Sequence, residues 1–112
     1  MSRQAGAVAE RAAEKFLHAR GYSTLVRNYT CRGGEIDLVC EHGEALVFVE
    51  VRARSRSDFG TPEETVTTLK QRRILRAAEH FLARHKLSDR ICRFDVIAIA
   101  GDELTHLVDA FS

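Results

Sequence analysis

The sequence predicts an α/β domain in which a mixed sheet is covered by helices. Three observations carry this: helical apolar spacing from Ala5 to Leu17, two strand-like runs joined at Gly43-Glu44, and a second amphipathic run from about Thr67 to Lys86 that precedes another apolar strand. The expected order is helix, three strands, helix, strand, with a candidate strand at the end. All 112 residues are expected to form a single domain, 1–112, around one core.

The first helix is read from Ala5, Val8, Ala9, Ala12, Ala13, Phe16 and Leu17, whose spacings of three and one place them on one face. Gly21, just past Arg20, is its expected C-terminal glycine. Tyr22 to Cys31 mixes β-branched and aromatic residues and reads as a strand, followed by a Gly33-Gly34 turn. Glu35 to Glu41 and Ala45 to Ala53 are the next two strands.

RSRSDFGTPEET, with Gly60 and the only proline, Pro62, reads as a loop carrying a short capping box at Thr61 and Glu64. The long helix buries Leu69, Ile74, Ala77, Ala78, Phe81 and Leu82, and is capped by Thr67 or Thr61. Arg90 to Ala100 is apolar enough over its second half for a central strand, and Thr105 to Phe111 is a candidate edge strand. A right-handed crossover is expected through the long helix if the strands it joins are parallel.

Composition narrows the function classes. A chain that is 45% hydrophobic and 29% charged is an ordinary soluble globule. No membrane-length apolar window occurs, and charges interrupt the N-terminus, so neither a membrane span nor a signal peptide is expected and the location expected is cytoplasmic. Cys31, Cys40 and Cys92 form no CxxC pair and are expected to be buried thiols. From Val51 to Lys86 nine basic residues stand against four acids, which marks either a polyanion-binding face or a solvated helix face.

The acids of the hairpin carry the sharper signal. A two-residue turn at Gly43-Glu44, type II′ with glycine at its first central position, pairs His42 with Ala45. Counting outward, Val39 faces Phe48, Asp37 faces Glu50, and Glu35 faces Arg52. Alternation then puts Glu35, Asp37 and Val39 on one face and Ile36, Leu38 and Cys40 on the other. Carboxylates about 5 Å apart repel by about 3 kcal/mol at an effective dielectric near 20. Such a pair requires a raised pKa, a cation such as Arg52, or a hard divalent metal. On the helical wheel both Glu10 and Glu14 border the apolar stripe and could reach the same place.

The hairpin GEIDLVCEHGEALVFVEVRAR, the helix GAVAERAAEKFL, the segment KQRRILRAAEHFL and the strand RFDVIAIA together resemble the YraN-like family of small bacterial proteins. That family is similar in turn to archaeal Holliday junction resolvases and to the PD-(D/E)XK nuclease superfamily. The resemblance implies a restriction-endonuclease-like fold and a metal-dependent endonuclease acting on DNA, in branched or structured form. It makes Glu10, Asp37, Glu50 and Arg52 the catalytic residues, with Asp37, Glu50 and the Val51 carbonyl holding magnesium or manganese. Ile36 replaces the motif's proline, and Arg52 replaces its lysine. Arginine stays protonated and cannot accept a proton from water, so a non-catalytic nucleic-acid-binding or partner-binding module with the same fold is the alternative. Arg54, Arg56, Lys70, Gln71 and Arg73 are the expected contacts to nucleic acid, and Lys70 and Gln71, at the start of the long helix, could also reach the acids. Monomer and homodimer both stay open.

Overall fold

The computed structural model of the chain describes residues 3–54 and 66–111, with side chains described from residue 6 onward and not at residue 54. The elements run α1 (Arg3–His18), β1 (Ser23–Cys31), β2 (Gly34–His42), β3 (Ala45–Arg54), α2 (Thr68–Arg84), β4 (Ile91–Ala100) and β5 (Glu103–Leu107). The strands form a five-stranded sheet in the order β1-β2-β3-β4-β5. Every neighbouring pair is antiparallel except β3 with β4, which is parallel and joined through α2. A parallel pair cannot be closed by a tight turn, so the connection must cross over, and α2 fills that need.

The two helices cover opposite faces. Ala9, Ala13 and Leu17 of α1 pack with Leu38, Cys40, Val47, Val49 and Ile97. Ile74, Ala77, Ala78 and Phe81 of α2 pack with Val39, Leu46, Phe48 and Val96. Alternation along β3 and β4 sends successive side chains into one core and then the other. There are thus two apolar layers where a single core is expected from the sequence.

Helix ends follow their local chemistry. Gly21, at φ +87°, ends α1: its N–H reaches the His18 carbonyl at 3.1 Å and the Tyr22 N–H reaches Leu17 at 3.1 Å, the paired bonds of a Schellman cap. The Thr67 hydroxyl accepts from the Lys70 N–H at 3.2 Å and caps α2, which decides between the two threonines. The expected capping box at Thr61 and Glu64 lies outside the described residues.

Several expectations are corrected. The first turn is Arg32-Gly33 rather than Gly33-Gly34, because Gly34 already pairs with Cys31. Gly34 serves a different need: a Cβ there would sit 2.4 Å from the Arg73 carbonyl oxygen and 2.9 Å from the Ala77 nitrogen, so α2 lies directly on the strand backbone. Leu69 is 67% exposed, since it precedes the turns of α2 that pack on the sheet. The last strand starts at Glu103 and stops at Leu107. Beyond it the chain folds under β4, with the Ala110 N–H on the Phe94 carbonyl at 2.7 Å and Phe111 stacked on Phe94. Cys40 is buried, whereas Cys31 and Cys92 are only half-buried.

Candidate metal and phosphate site

The hairpin turn holds the expected register. His42 pairs with Ala45 across Gly43-Glu44, Gly43 has φ +60°, and Val39 lies opposite Phe48. The β2–β3 ladder then runs only to Leu38 and Val49. On the other side of β2 the pairing goes from Arg27 with Leu38 to Tyr29 with Ile36, passing over Asn28 and Asp37, and Asn28 has φ +53°. The expected alternation breaks at this point: Ile36 packs into the α2-side core with Val39, while Leu38 and Cys40 pack into the α1-side core. Asp37 sits at the break, released from strand pairing on both sides.

Its carboxylate does the work of a strand partner. Asp37 Oδ2 accepts the Val51 N–H at 2.8 Å, and its carboxyl shares a pocket with that of Glu50. The two acids therefore meet as the register count expects, though through side chains past the end of the ladder. Burial, then the hydrogen bond and charge of Glu50, push the Asp37 carboxyl up to about 9 against the opposing Val51 N–H. Burial beside a second carboxyl thus favours the protonated form of Asp37 while no cation is bound.

A cavity of about 160 Å³ opens over this pair, lined by Glu10, Asp37, Glu50, Val51, Arg52 and Lys70 among others. Glu10 comes from within α1 and Lys70 from the first turn of α2, so the pocket draws on a helix from each face of the sheet. α2 has no acid in its first turn, so the partial positive charge of its N-terminus is left to Glu50, which Lys70 of that turn contacts. Glu10 is raised by burial and by the charge of Glu50, against a hydrogen bond with Asn28.

The wheel's ambiguity between Glu10 and Glu14 is resolved. Glu14 is committed elsewhere: Arg27 holds it at 2.6 and 2.9 Å, and the Thr24 hydroxyl donates to it at 2.7 Å. Those bonds, the one from Arg27 first, keep its carboxyl below the ordinary range.

Of the two residues at the start of α2 expected to be able to reach the site, Lys70 does so and Gln71 does not. Lys70 Nζ contacts Glu50 Oε2 at 3.2 Å, which brings it into the acid pocket itself. Arg52 does not pair with Glu35, because the strands have parted there; its Nε is buried without a hydrogen-bond partner among the described residues. Glu35 is exposed and instead faces Arg73 at 3.6 Å. Gln71 turns away from the pocket and donates to the Val66 carbonyl at 3.2 Å. Neither the Arg54 side chain nor Arg56 is among the described groups.

The donor set is all oxygen, from two carboxyl groups and a strand backbone, and suits a hard cation such as magnesium or manganese rather than zinc. Among the described residues no three His, Cys, Asp or Glu side chains are gathered closely enough to form a cage. A cation on Asp37 and Glu50 would therefore keep coordination positions for backbone, water or substrate.

A second buried acid escaped sequence reading. Asp95 of β4 is fully buried and accepts from Arg93 at 2.9 and 3.1 Å, Tyr22 at 3.2 Å, and the Asp109 N–H at 3.0 Å, with His106 Nε2 at 2.8 Å. Burial opposes its charge, yet His106, Arg93 and the Asp109 N–H hold its carboxyl far below the usual range. The signal in the sequence was an acid inside the apolar run FDVIAIA.

The model of the uncharacterised protein family UPF0102 matches residues 9–99. A UPF0102 protein of Ralstonia pickettii is 51% identical over 110 residues, covering 95% of this chain and 88% of its own. One from Saccharophagus degradans is 46% identical over 110 residues, covering 97% and 93%, and one from Aeromonas hydrophila is 48% identical over 104, covering 91% and 80%. No described helix is long and apolar enough to cross a membrane.

Proposed function

Because the chain belongs to the UPF0102 family, the YraN-like proteins, whose description names no activity, we propose from its acid pocket that it is a metal-dependent endonuclease. The reading places it with the PD-(D/E)XK nucleases and the Holliday junction resolvases, on their restriction-endonuclease-like fold, hydrolysing phosphodiester bonds in branched or structured DNA. The observation that supports it most is the contact of Asp37 with Glu50 at the break in the sheet, beside Glu10 and under two cations. Carboxyl groups gathered in a partly buried cleft are an arrangement that functional sites use.

Asp37, Glu50 and Val51 would hold magnesium or manganese, which when bound supplies Lewis-acid charge to a phosphate and lowers the pKa of water. Glu10 stands at the rim, where it can orient the attacking water. Arg52 lines the same pocket, where its guanidinium offers positive charge and donors to a phosphate oxygen. In hydrolysis the water oxygen bonds to phosphorus, the bond to the leaving sugar oxygen breaks, and that oxygen must gain a proton. Lys70, an ammonium on a flexible stem 3.2 Å from Glu50, can carry a proton where Arg52 cannot. Its presence weakens the argument from Arg52 for a module that binds without cutting.

The test is cleavage of duplex, flap and four-way-junction DNA with magnesium or manganese. Glu50→Ala is expected to lower the rate on the order of a hundredfold or more, as loss of a charge-positioning group in an active site does. Arg52→Lys keeps activity, because its role is charge rather than proton transfer. Lys70→Met lowers the rate at every pH. Activity indifferent to Glu50→Ala would show that the pocket is not the active site.

A further inference from the structure

The acid pocket accounts for Lys70 and Arg52 but not for the arginines that follow on α2. Arg72, Arg73 and Arg76 line a second cavity of about 430 Å³ together with Gly33, Leu69 and Glu79. All three arginines are exposed. Among the described residues no acid forms an ion pair with Arg72 or Arg76, and Glu79 is the one acid in the lining. Like charges four residues apart destabilise a bare helix, so a face of this kind is at its most stable with an anion on it.

Two local features show that the groove is shaped. A Cβ at Gly33 would lie 3.0 Å from Arg76 Cδ and 3.1 Å from one guanidinium nitrogen, so the glycine leaves the bed in which Arg76 lies along the β1–β2 turn. Leu69, 67% exposed, lines the same cavity and offers apolar contact beside the charges. Arg72 and Arg76 are separated by about 6 Å along the helix axis, so both guanidinium groups can follow one phosphate strand laid along the groove. The Glu35–Arg73 pair joins the two cavities, since Glu35 lines the acid pocket and Arg73 lines the groove.

We propose that this groove on α2 binds the sugar-phosphate backbone of a nucleic acid on one side of the bond presented to the acid pocket, with Arg72 and Arg76 as the phosphate contacts. The proposal rests on the endonuclease reading for the direction of the strand and adds a binding surface to it. Arg73, shared with Glu35, marks the point at which the backbone leaves the groove for the pocket.

The experiment measures binding of a fluorescein-labelled 20-base-pair duplex DNA by anisotropy in metal-free buffer, across a salt series, so that cutting plays no part. The double variant Arg72→Gln/Arg76→Gln is compared with Arg84→Gln/Lys86→Gln, an equal loss of charge at the other end of the helix. The groove variant is expected to bind about tenfold more weakly at low salt, with the slope of log affinity against log salt reduced by about 2. The control pair should leave the slope unchanged, and manganese binding should be the same in all three proteins. An unchanged slope in the groove variant, or an equal change in both variants, overturns the proposal. Loss of slope in a protein that never cuts sustains the groove and sinks the endonuclease, while cutting with the wild-type salt slope in the groove variant does the reverse.

Discussion

Asp37 is pushed toward its protonated form by burial and by the neighbouring Glu50. Its Oδ2 is committed to the Val51 N–H at 2.8 Å, and Glu50 fills the space on its other side. The folded chain therefore keeps a proton that the unfolded chain has lost, from the ordinary aspartate range up to about 9. Where the folded state binds more protons, stability falls as pH rises, so metal-free protein should become less stable through this window. Asp37→Asn removes that dependence while preserving an acceptor for the Val51 N–H. It is expected to raise stability at pH 8 by about 1 kcal/mol, the usual gain when a functional acid is relieved. Urea melts at pH 5 and pH 8 check this, and a wild-type midpoint that does not fall between them would show that the acids do not share a proton.

The pair itself was legible in the sequence, because turn type and alternation fix which hairpin residues face each other. Its exact contact was not, since periodicity reports burial and says nothing about where a ladder stops. Glu10 and Glu14 could not be separated on the wheel for a related reason: what divides them is Thr24 and Arg27 of β1, which reach across to Glu14 from another element.

At the scale of elements, the strands and helices stand within a few residues of their sequence reading because glycine turns, a threonine cap and apolar spacing are local signals. Leu69 and Gly34 are the instructive departures. Leu69 fits the apolar stripe of α2 but lies ahead of the part that meets the sheet, and a wheel has no knowledge of where a neighbour begins. Gly34 reads as half of a turn, yet its function is to let α2 approach β2. Gly34→Ala would drive a methyl to within 2.4 Å of the Arg73 carbonyl and 3.0 Å of Ala77 Cβ. Helix or strand must then shift, at a cost of about 1 to 3 kcal/mol, the range for an overpacked core. The shift also moves Lys70 relative to Glu50, since Lys70 sits on α2 itself and Glu50 on β3, the strand beside β2. A lowered urea midpoint together with weaker manganese binding is the expected result, and a loss of stability with manganese affinity intact would show that α2 does not set the pocket's geometry.

Across the whole molecule, Asp95 is the point at which the distant parts of the chain converge. Tyr22 joins it from the end of α1, Arg93 from its own strand, His106 from β5, and Asp109 from the segment after the sheet. The sequence could show the acid in an apolar strand but not its partners, which lie up to 73 residues away in the chain. Its carboxyl titrates below its unfolded value, so the stability it contributes is fully present above the ordinary aspartate range and is lost as pH falls toward the folded pKa. Asp95→Asn leaves Arg93 half-buried beside a neutral amide, and breaking a buried pair in this way costs about 3 to 5 kcal/mol. The wild-type urea midpoint should accordingly drop between pH 6 and pH 3 more steeply than that of Asp95→Asn, whose midpoint starts lower. Parallel pH profiles for the two proteins would mean that the acid sensitivity of the fold arises elsewhere. Because Asp95 is absent from the lining of the acid pocket, the same variant should retain acid-dependent manganese binding wherever it stays folded, which separates the group that holds the sheet's far side together from the pair that we assign to chemistry.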